Sequence, residues 1–592
     1  GHDDLGSTNP RVVSPALDRL AEESARLTDF HVHLKCAPTR ASLLTGRYFQ
    51  RTGVWGVHGG RDQMAVDEVT LGDAFREAGY ATAVVGKWHS GLGDRYYPWE
   101  RGFDLAHATN LYRYRPEEGA ADLVNGDPRP IDGWAQTHIT DAAIGFVTEP
   151  RDRPFFLYLP YMSPHSPWRS PAKFQRPFIE RGDDENLVAF WGMVHFMDHE
   201  IGRLLAAIDQ AGLRDDTLVV FLSDNGPVPS GANRPPGEAG PPFKTGQQLW
   251  RQRNPSGMRG GKGQIYQNGL RSVFFARWPG RLEPGDYAGP VTVEDVFPTL
   301  LDWAGVTTPS GTKPLDGVSV TGLMRADAET QQAALSRLNE RPLFFPEAEP
   351  KDSFDPWRLG QRQEYQVIDK TRDPERFAFD RMNLAVRRGD FKWVKRQGKA
   401  ELFNLVSDPR ERTPITDRAD LARELEAAGR GWWEDVLSES SAFERPTVYV
   451  DGNPRRFSVV QLRAASEVEG VSVHAHGVDG WDEVGDRLTV NVEIGRPGRY
   501  RVRLLGKTPR ATQAVFELSI GSASPTTARI DRPMGLVHEK PEYDWDPKRA
   551  IDLGEVELAV SGPARLVLRL KELGARKPAL DGLTHLVMER ID

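Results

Sequence analysis

Apolar and polar positions change rhythm twice along the 592-residue chain. Up to about residue 305, helical spacing alternates with short, unbroken apolar runs. "LDRLAEESARL" (17–27) predicts an amphipathic helix, and "LGDAFREAG" (71–79) predicts a second, closed by Gly79. "YATAVVG" (80–86), "RPFFLYLPY" (153–161) and "DTLVVFLSD" (216–224) are apolar without alternation, the pattern of strands buried on both faces. A helix is expected from about Val194 to Ala211, and a further strand in "RSVFFARWPG" (271–280). This alternation predicts an α/β fold: a mixed, mostly parallel sheet sandwiched by helices.

Residues 225 to 260 are rich in Gly, Pro, Asn and Arg without any period, which predicts a long functional or mobile loop. Between about 340 and 440 come short β signals ("LAVRRGDFKWVK", 384–395) and a late helix ("RADLARELEAAGRGWWEDVL", 418–437), a smaller α+β region. From about 445 the runs alternate strictly, as in "RLTVNVEIG", "AVFELSIG" and "ARLVLRLKE", with Gly, Pro and Asp turns between them. That is an antiparallel β-sandwich appended to the α/β body. The expected divisions are 1–340, 341–442 and 443–592.

Composition narrows the partners. Lys and Arg number 76 against 84 Asp and Glu, a net charge of −8, which argues against nucleic acid or an anionic membrane as partner. No apolar run approaches the ~18 residues of a membrane span. A single Cys excludes an intrachain disulfide framework and a cysteine-based zinc cluster. The abrupt opening "GHDDLG" suggests that a targeting segment has been cut away, with a periplasmic or secreted location.

Polar clusters stand at the carboxyl ends of the expected strands: "GKWH" (86–89), "MSPHSPW" (162–168) and "SDNGP" (223–227). Ligands bind outside those ends in an open α/β sheet, so distant segments should converge there. Asp3 and Asp4 in "DDLG", with Asp224 and Asn225, offer hard oxygen donors suited to Ca²⁺ or Mg²⁺, although each motif alone is more often a turn. Lys87, His89, His165, Arg40 and Lys262, the last in Gly-rich "MRGGKGQ" (258–264), suggest an anion pocket. Alone, each is more often structural or solvated.

Cys36 precedes "APTRASLLTGR", a helix starting near Pro38, and would sit at its positive end. It reads as an inert buried thiol, as a thiolate with a His partner, or in a third way. "CAPTRASLLTGR" resembles the signature of the type I, formylglycine-dependent sulfatases of the alkaline phosphatase superfamily, where Cys-x-Pro-x-Arg directs oxidation of the Cys. "DDLG", "GKWHSG", "PHSP", "SDNGP" and "GGKGQIYQNGLRSVFFARWPG" follow the family's order over about 280 residues, and "LAVRRGDFKWV" with "ELFNLVSDPRER" (401–412) resembles its C-terminal subdomain.

The resemblance implies one Ca²⁺ held by Asp3, Asp4, Asp224, Asn225 and the modified Cys36, and a formylglycine-generating enzyme as maturation partner. It implies that a hydrated formylglycine oxygen attacks the ester sulfur while His165, with Lys262 nearby, protonates the leaving alcohol. Sulfate then departs by C–O cleavage as His89 takes a proton. Arg40 and Lys87 would hold the sulfate oxygens, and both histidines would need near-neutral pKa values. Two departures stand out. The apolar strand that precedes "DDLG" in many relatives is missing, which should expose the sheet and loosen the metal site, and Gln267-Asn268 replaces a usual acidic residue. The missing strand is read as residues of the protein lacking from the given chain, or as replaced by another segment.

Candidate substrate contacts are His58, Arg61, Asn110, Tyr112, Arg113, Trp168 and Arg169, aromatic and cationic groups suited to a sulfated carbohydrate. The leading expectation is a sulfatase acting on a carbohydrate sulfate. Phosphate or phosphonate monoester hydrolysis, an aryl sulfatase without glycan preference, and a silent glycan-binding protein are the alternatives.

Overall fold

The structure is a computed structural model describing residues 1–57, 62–91, 93–109, 113–118, 120–228, 247–325, 327–347, 377–439, 447–451, 455–458, 466–474, 477–507, 514–530, 549–573 and 581–592. Its α/β body holds two separate larger sheets. In one, strand Ala81–Gly86 runs parallel to Leu105–Thr109 on one side and to Phe155–Tyr158 on the other. In the other, the order is Gly285–Tyr287, Ala25–Leu27, Phe274–Arg277, Val219–Leu222. Phe274–Arg277 is antiparallel to both its neighbours, so the architecture is mixed.

Most expected elements form with adjusted bounds. Leu71–Glu77 is a helix with a Thr70–Asp73 capping box, in which each side chain satisfies the other residue's backbone N–H. The expected 194–211 helix is longer, Glu185–Gln210, because its buried stripe already begins at Leu187. The 17–27 helix is half wrong. Helix Pro15–Glu22 ends where the Ser24 hydroxyl bonds Leu20 O, and Ala25–Leu27 becomes a strand between Phe274–Arg277 and Gly285–Tyr287. Ladder pairing on both sides satisfies more backbone there than one further helical turn would.

Two strands of the body stand at sheet edges. Phe155–Tyr158 and Val219–Leu222 each end their sheet, and no strand among the described residues lies beyond either edge. Both are half-buried along their whole length, whereas Ala81–Gly86 is buried throughout. Two sequences that read as fully buried strands therefore carry an unpaired edge.

Beyond the body, strands Leu343–Pro346, Leu384–Arg388, Phe391–Arg396 and Lys399–Asn404 form an antiparallel sheet covered by helix Ala419–Ser438. Trp433 and Val436 of that helix join Leu384 and Val386 in one apolar cluster. After Val448 come two further sheets. Their inward side chains, among them Leu488, Val490, Leu566 and Leu568 of one sheet with Tyr500, Val502, Leu586 and Met588 of the other, share a single core. Truncating one such Leu to Ala costs roughly 2–5 kcal/mol.

Candidate active site

Cys36 is the first residue of helix Cys36–Thr45, 2% exposed, at the end where unpaired backbone N–H groups concentrate positive charge. The strand Ala81–Gly86 delivers Lys87 and His89 to it. Gly86 makes that exit possible: at φ 126° it passes so close to Pro160 that a Cβ would lie 2.4 Å from the carbonyl oxygen. His89 holds a left-handed backbone at φ 57°, and its Nε2 lies 2.7 Å from Val57 O and 3.8 Å from Asp62 Oδ2. Burial pushes the Cys36 thiol up, but Lys87, His89 and Lys262, with a hydrogen bond to His89, hold it well below its usual range. Lys87 is itself lowered, first by burial and then by Arg40 and Lys262.

Two loops close the other sides. Gly226 packs so tightly on the Gly-rich segment that a Cβ would come within 2.0 Å of Asn268 O; its N–H donates to Gly269 O, and Lys262 N donates to Pro227 O at 2.7 Å. Asp224 and Lys262 thus arrive together. Arg40 donates to Asp224 Oδ2 at 2.7 Å, to Tyr158 OH at 3.0 Å and to Lys87 O at 3.4 Å, so much of its guanidinium is bound to protein groups. Despite burial, Arg40, Lys87 and Lys262 hold the Asp224 carboxyl far below the usual carboxylate range.

His165 lies on a turn with cis bonds at Ser163-Pro164 and Ser166-Pro167; its Nδ1 sits 2.8 Å from Ser166 O, and its carbonyl accepts from Tyr114 OH at 2.5 Å. The expected near-neutral pKa is not met in the free site: burial first, then Lys262 and Lys87, push His165 well below its ordinary value. An anion between those lysines would offset the push.

The structure brings Cys36, Arg40, Lys87, His89, His165, Asp224 and Lys262 into one electrostatic group. Asp3 and Asp4 lie on a turn that packs at Gly1 against Pro227, with other partners for their carboxylates. Asp3 Oδ2 accepts from Ser256 N at 3.1 Å and Ser256 Oγ at 2.6 Å, and its Oδ1 lies 2.9 Å from His2 Nδ1. Asp4 is paired with Arg253, whose Nε and Nη2 lie 3.1 and 3.3 Å from its two oxygens. Among the described residues, the carboxylates of Asp3, Asp4 and Asp224 do not gather within the 4.8 Å that would let them share an ion.

Of the substrate candidates, His58, Arg61, Asn110 and Tyr112 lie outside the described residues, as do residues 229–246 of the 225–260 loop. Arg113 is half-buried. Trp168 packs on Phe190, ring centroids 5.3 Å apart, and Arg169 Nε donates to Glu118 at 3.2 Å, so both are engaged by the protein. Sequence reasoning missed Tyr158 and Tyr114, whose hydroxyls hold Arg40 and the His165 turn, and also Glu411. Glu411 accepts from Gln267 N at 2.6 Å and pairs with buried Lys392, supplying from "SDPRER" an acid beside the Gln267-Asn268 departure. A tyrosine at a strand end gives little signal in one sequence.

The sulfatase family model matches residues 3–306. The chain belongs to the sulfatase family. It is 30% identical over 338 residues to an uncharacterized sulfatase, YdeN, of Escherichia coli (strain K12), covering 52% of this chain and 56% of that one. It is 31% identical over 369 residues to human arylsulfatase A, covering 57% and 68%. Among solved structures, Ps i-CgsB in complex with k-i-k-neocarrahexaose shares the fold, with a TM-score of 0.59, 22% identity, and 74% and 92% coverage. The chain thus spans little more than half of the E. coli relative's length. Calcium, typical of sulfatases, finds half a site here. Asn225 Oδ1 is buried without a hydrogen-bond partner and Asp224 is fully ionised beside it, but Asp3 and Asp4 are committed to Ser256 and Arg253. A cation drawing on Asp3 and Asp4 would have to displace those partners.

Proposed function

We propose that this sulfatase-family chain hydrolyses sulfate monoesters, with formylglycine made from Cys36 as the reacting residue and a carbohydrate as the alcohol released. One observation carries the reading: Cys36 heads a helix with Lys87, His89 and Lys262 turned on it and Asp224 alongside. Once matured and hydrated, residue 36 supplies a hydroxyl that attacks sulfur and an aldehyde that can re-form. The rest is done by side chains present as they stand. Lys87 and Lys262 attract the sulfate monoanion and stabilise the charge that grows on its oxygens. Arg40, held by Tyr158 and Asp224, lends charge from a fixed position. His89 hydrogen-bonds residue 36 and is the base for its proton. His165 faces the lysines from the opposite loop; an anion there restores its proton affinity, making it the acid for the leaving alcohol.

The carbohydrate half rests on fold-level analogy, since the C-terminal two-sheet sandwich is an architecture shared with carbohydrate-binding modules. A periplasmic or secreted location, given such a substrate, belongs to the same proposal.

Two measurements test the reading. Chain coexpressed with a formylglycine-generating enzyme should yield a tryptic peptide containing residue 36 about 18 Da lighter than the cysteine form. It should cleave an aryl sulfate faster than the matching aryl phosphate, and then a sulfated sugar from a mono- and oligosaccharide panel. A faster phosphate reaction makes it a phosphomonoesterase instead. Modified chain inert toward every sulfate ester leaves a glycan-binding protein.

A further inference from the structure

Apart from the Cys36 group, three ligand-type side chains meet. His107 lies on strand Leu105–Thr109, Asp122 on the paired strand Ala121–Val124, and His138 on helix Ala135–Thr148. Asp122 Oδ2 lies 2.6 Å from His107 Nδ1 and 2.9 Å from His138 Nε2. All three ligand atoms fall within 4.8 Å of one another, the only such group of His, Cys, Asp or Glu among the described residues.

A hydrogen-bonded triad alone leaves something unexplained. The Asp122 side chain is fully buried, yet both imidazoles crowd one of its oxygens while Oδ1 is buried with no partner. An acceptor left so costs roughly 1–3 kcal/mol. A cation between the rings would replace that crowding by bonds to two ring nitrogens and one carboxylate oxygen.

We infer that His107, Asp122 and His138 bind a divalent transition metal, zinc first among them, which ties two strands and a helix together. Two imidazole nitrogens and one carboxylate suit zinc; calcium and magnesium prefer oxygen alone. Zinc bonds of about 2.0–2.2 Å in a tetrahedron set ligand atoms about 3.4 Å apart. The two separations from Asp122, 2.6 and 2.9 Å, need to open by about 0.8 and about 0.5 Å to reach that spacing. The two ring protons move to His107 Nε2 and His138 Nδ1, freeing the lone pairs that face Asp122. The His107 and His138 side chains are 17% and 25% exposed, leaving an entry path.

The helix that carries His138 also supports the candidate catalytic turn. Gln136 bonds the Ser163 hydroxyl, and Thr140 Oγ1 lies 2.8 Å from Tyr161 OH. A metal here fixes that helix to the sheet two residues from Gln136. Its role is structural, and it does not depend on the proposed sulfatase chemistry.

The test uses full-length, chelator-stripped protein in excess Ca²⁺, which occupies oxygen-only sites. Titrated with ZnCl₂, the wild type should bind one equivalent and melt at higher temperature, and Co²⁺ in its place should give visible absorption of tetrahedral type. His138→Gln and His107→Gln, both at partly exposed positions, should weaken Zn²⁺ binding at least tenfold and abolish the melting shift. No stoichiometric Zn²⁺ binding by the wild type, or equal affinity in both variants with native circular dichroism, overturns the site.

Discussion

Asp4 shows most directly what one residue's partner can decide. Its carboxylate is buried and paired with Arg253, so a Ca²⁺ ion approaching Asp224 and Asn225 competes with a guanidinium already in place. Removing that competitor should tighten calcium binding. Arg253→Gln is expected to raise Ca²⁺ affinity about tenfold, worth about 1.4 kcal/mol, by calorimetry on the full chain. Unchanged affinity would mean that Asp4 never joins the ion. Single residues were also where the sequence was hardest to read. Lys87, His89, His165, Asp224 and Lys262 could be named because each follows an apolar run or a Gly-rich turn, and strand ends converge. Tyr158 and Arg253 could not: hydroxyl and guanidinium partners are chosen by tertiary distance, which leaves no period in the chain.

Among elements, long periodic segments were legible and short ones were not. Glu185–Gln210 and Ala419–Ser438 announce themselves by their stripes, whereas Ala25–Leu27 is three residues whose state is set by neighbours 250 positions away. The helix before that strand has a remote cap. The Ser14 side chain caps none of its backbone N–H groups, and instead Asp198, from Glu185–Gln210, accepts from Ala16 N at 3.2 Å and Leu17 N at 2.7 Å. Burial, only partly offset by those bonds, raises the Asp198 pKa to about 6. A raised carboxyl binds its proton more tightly in the folded state, so its contribution to stability falls as pH rises from about 4 to about 6. Two pH units correspond to about 3 kcal/mol at most. Asp198→Asn keeps an acceptor and removes the titration, so in urea melts the variant should gain on the wild type between pH 4 and pH 7. A difference that stays flat across that range would contradict the raised pKa.

On the scale of the whole molecule, the question is what the C-terminal sheets do for a site that lies elsewhere in the chain. Their first strand, Val448–Val450, is bound to the segment that follows Lys87 and His89. Arg95 forms two bonds to Asp451, at 2.7 and 3.2 Å, and stacks over Tyr449; Asp94 accepts from Asp451 N at 2.9 Å; Tyr96 OH donates to Thr447 O at 3.0 Å. Tyr96 in turn accepts through its carbonyl from the buried Trp88 indole at 3.0 Å, and Trp88 lies between Lys87 and His89. A continuous set of contacts therefore runs from the sandwich edge to the two side chains beside Cys36. If that contact positions them, Asp451→Asn combined with Tyr96→Phe should lower kcat on a small aryl sulfate several-fold while leaving KM nearly unchanged, because the substrate-facing groups remain. Circular dichroism and the melting temperature should stay close to wild type, since the exposed part of such an ion pair contributes little stability. A sandwich that serves only to hold glycan predicts a different split: an unchanged aryl-sulfate rate, with any loss confined to KM on a long sulfated oligosaccharide.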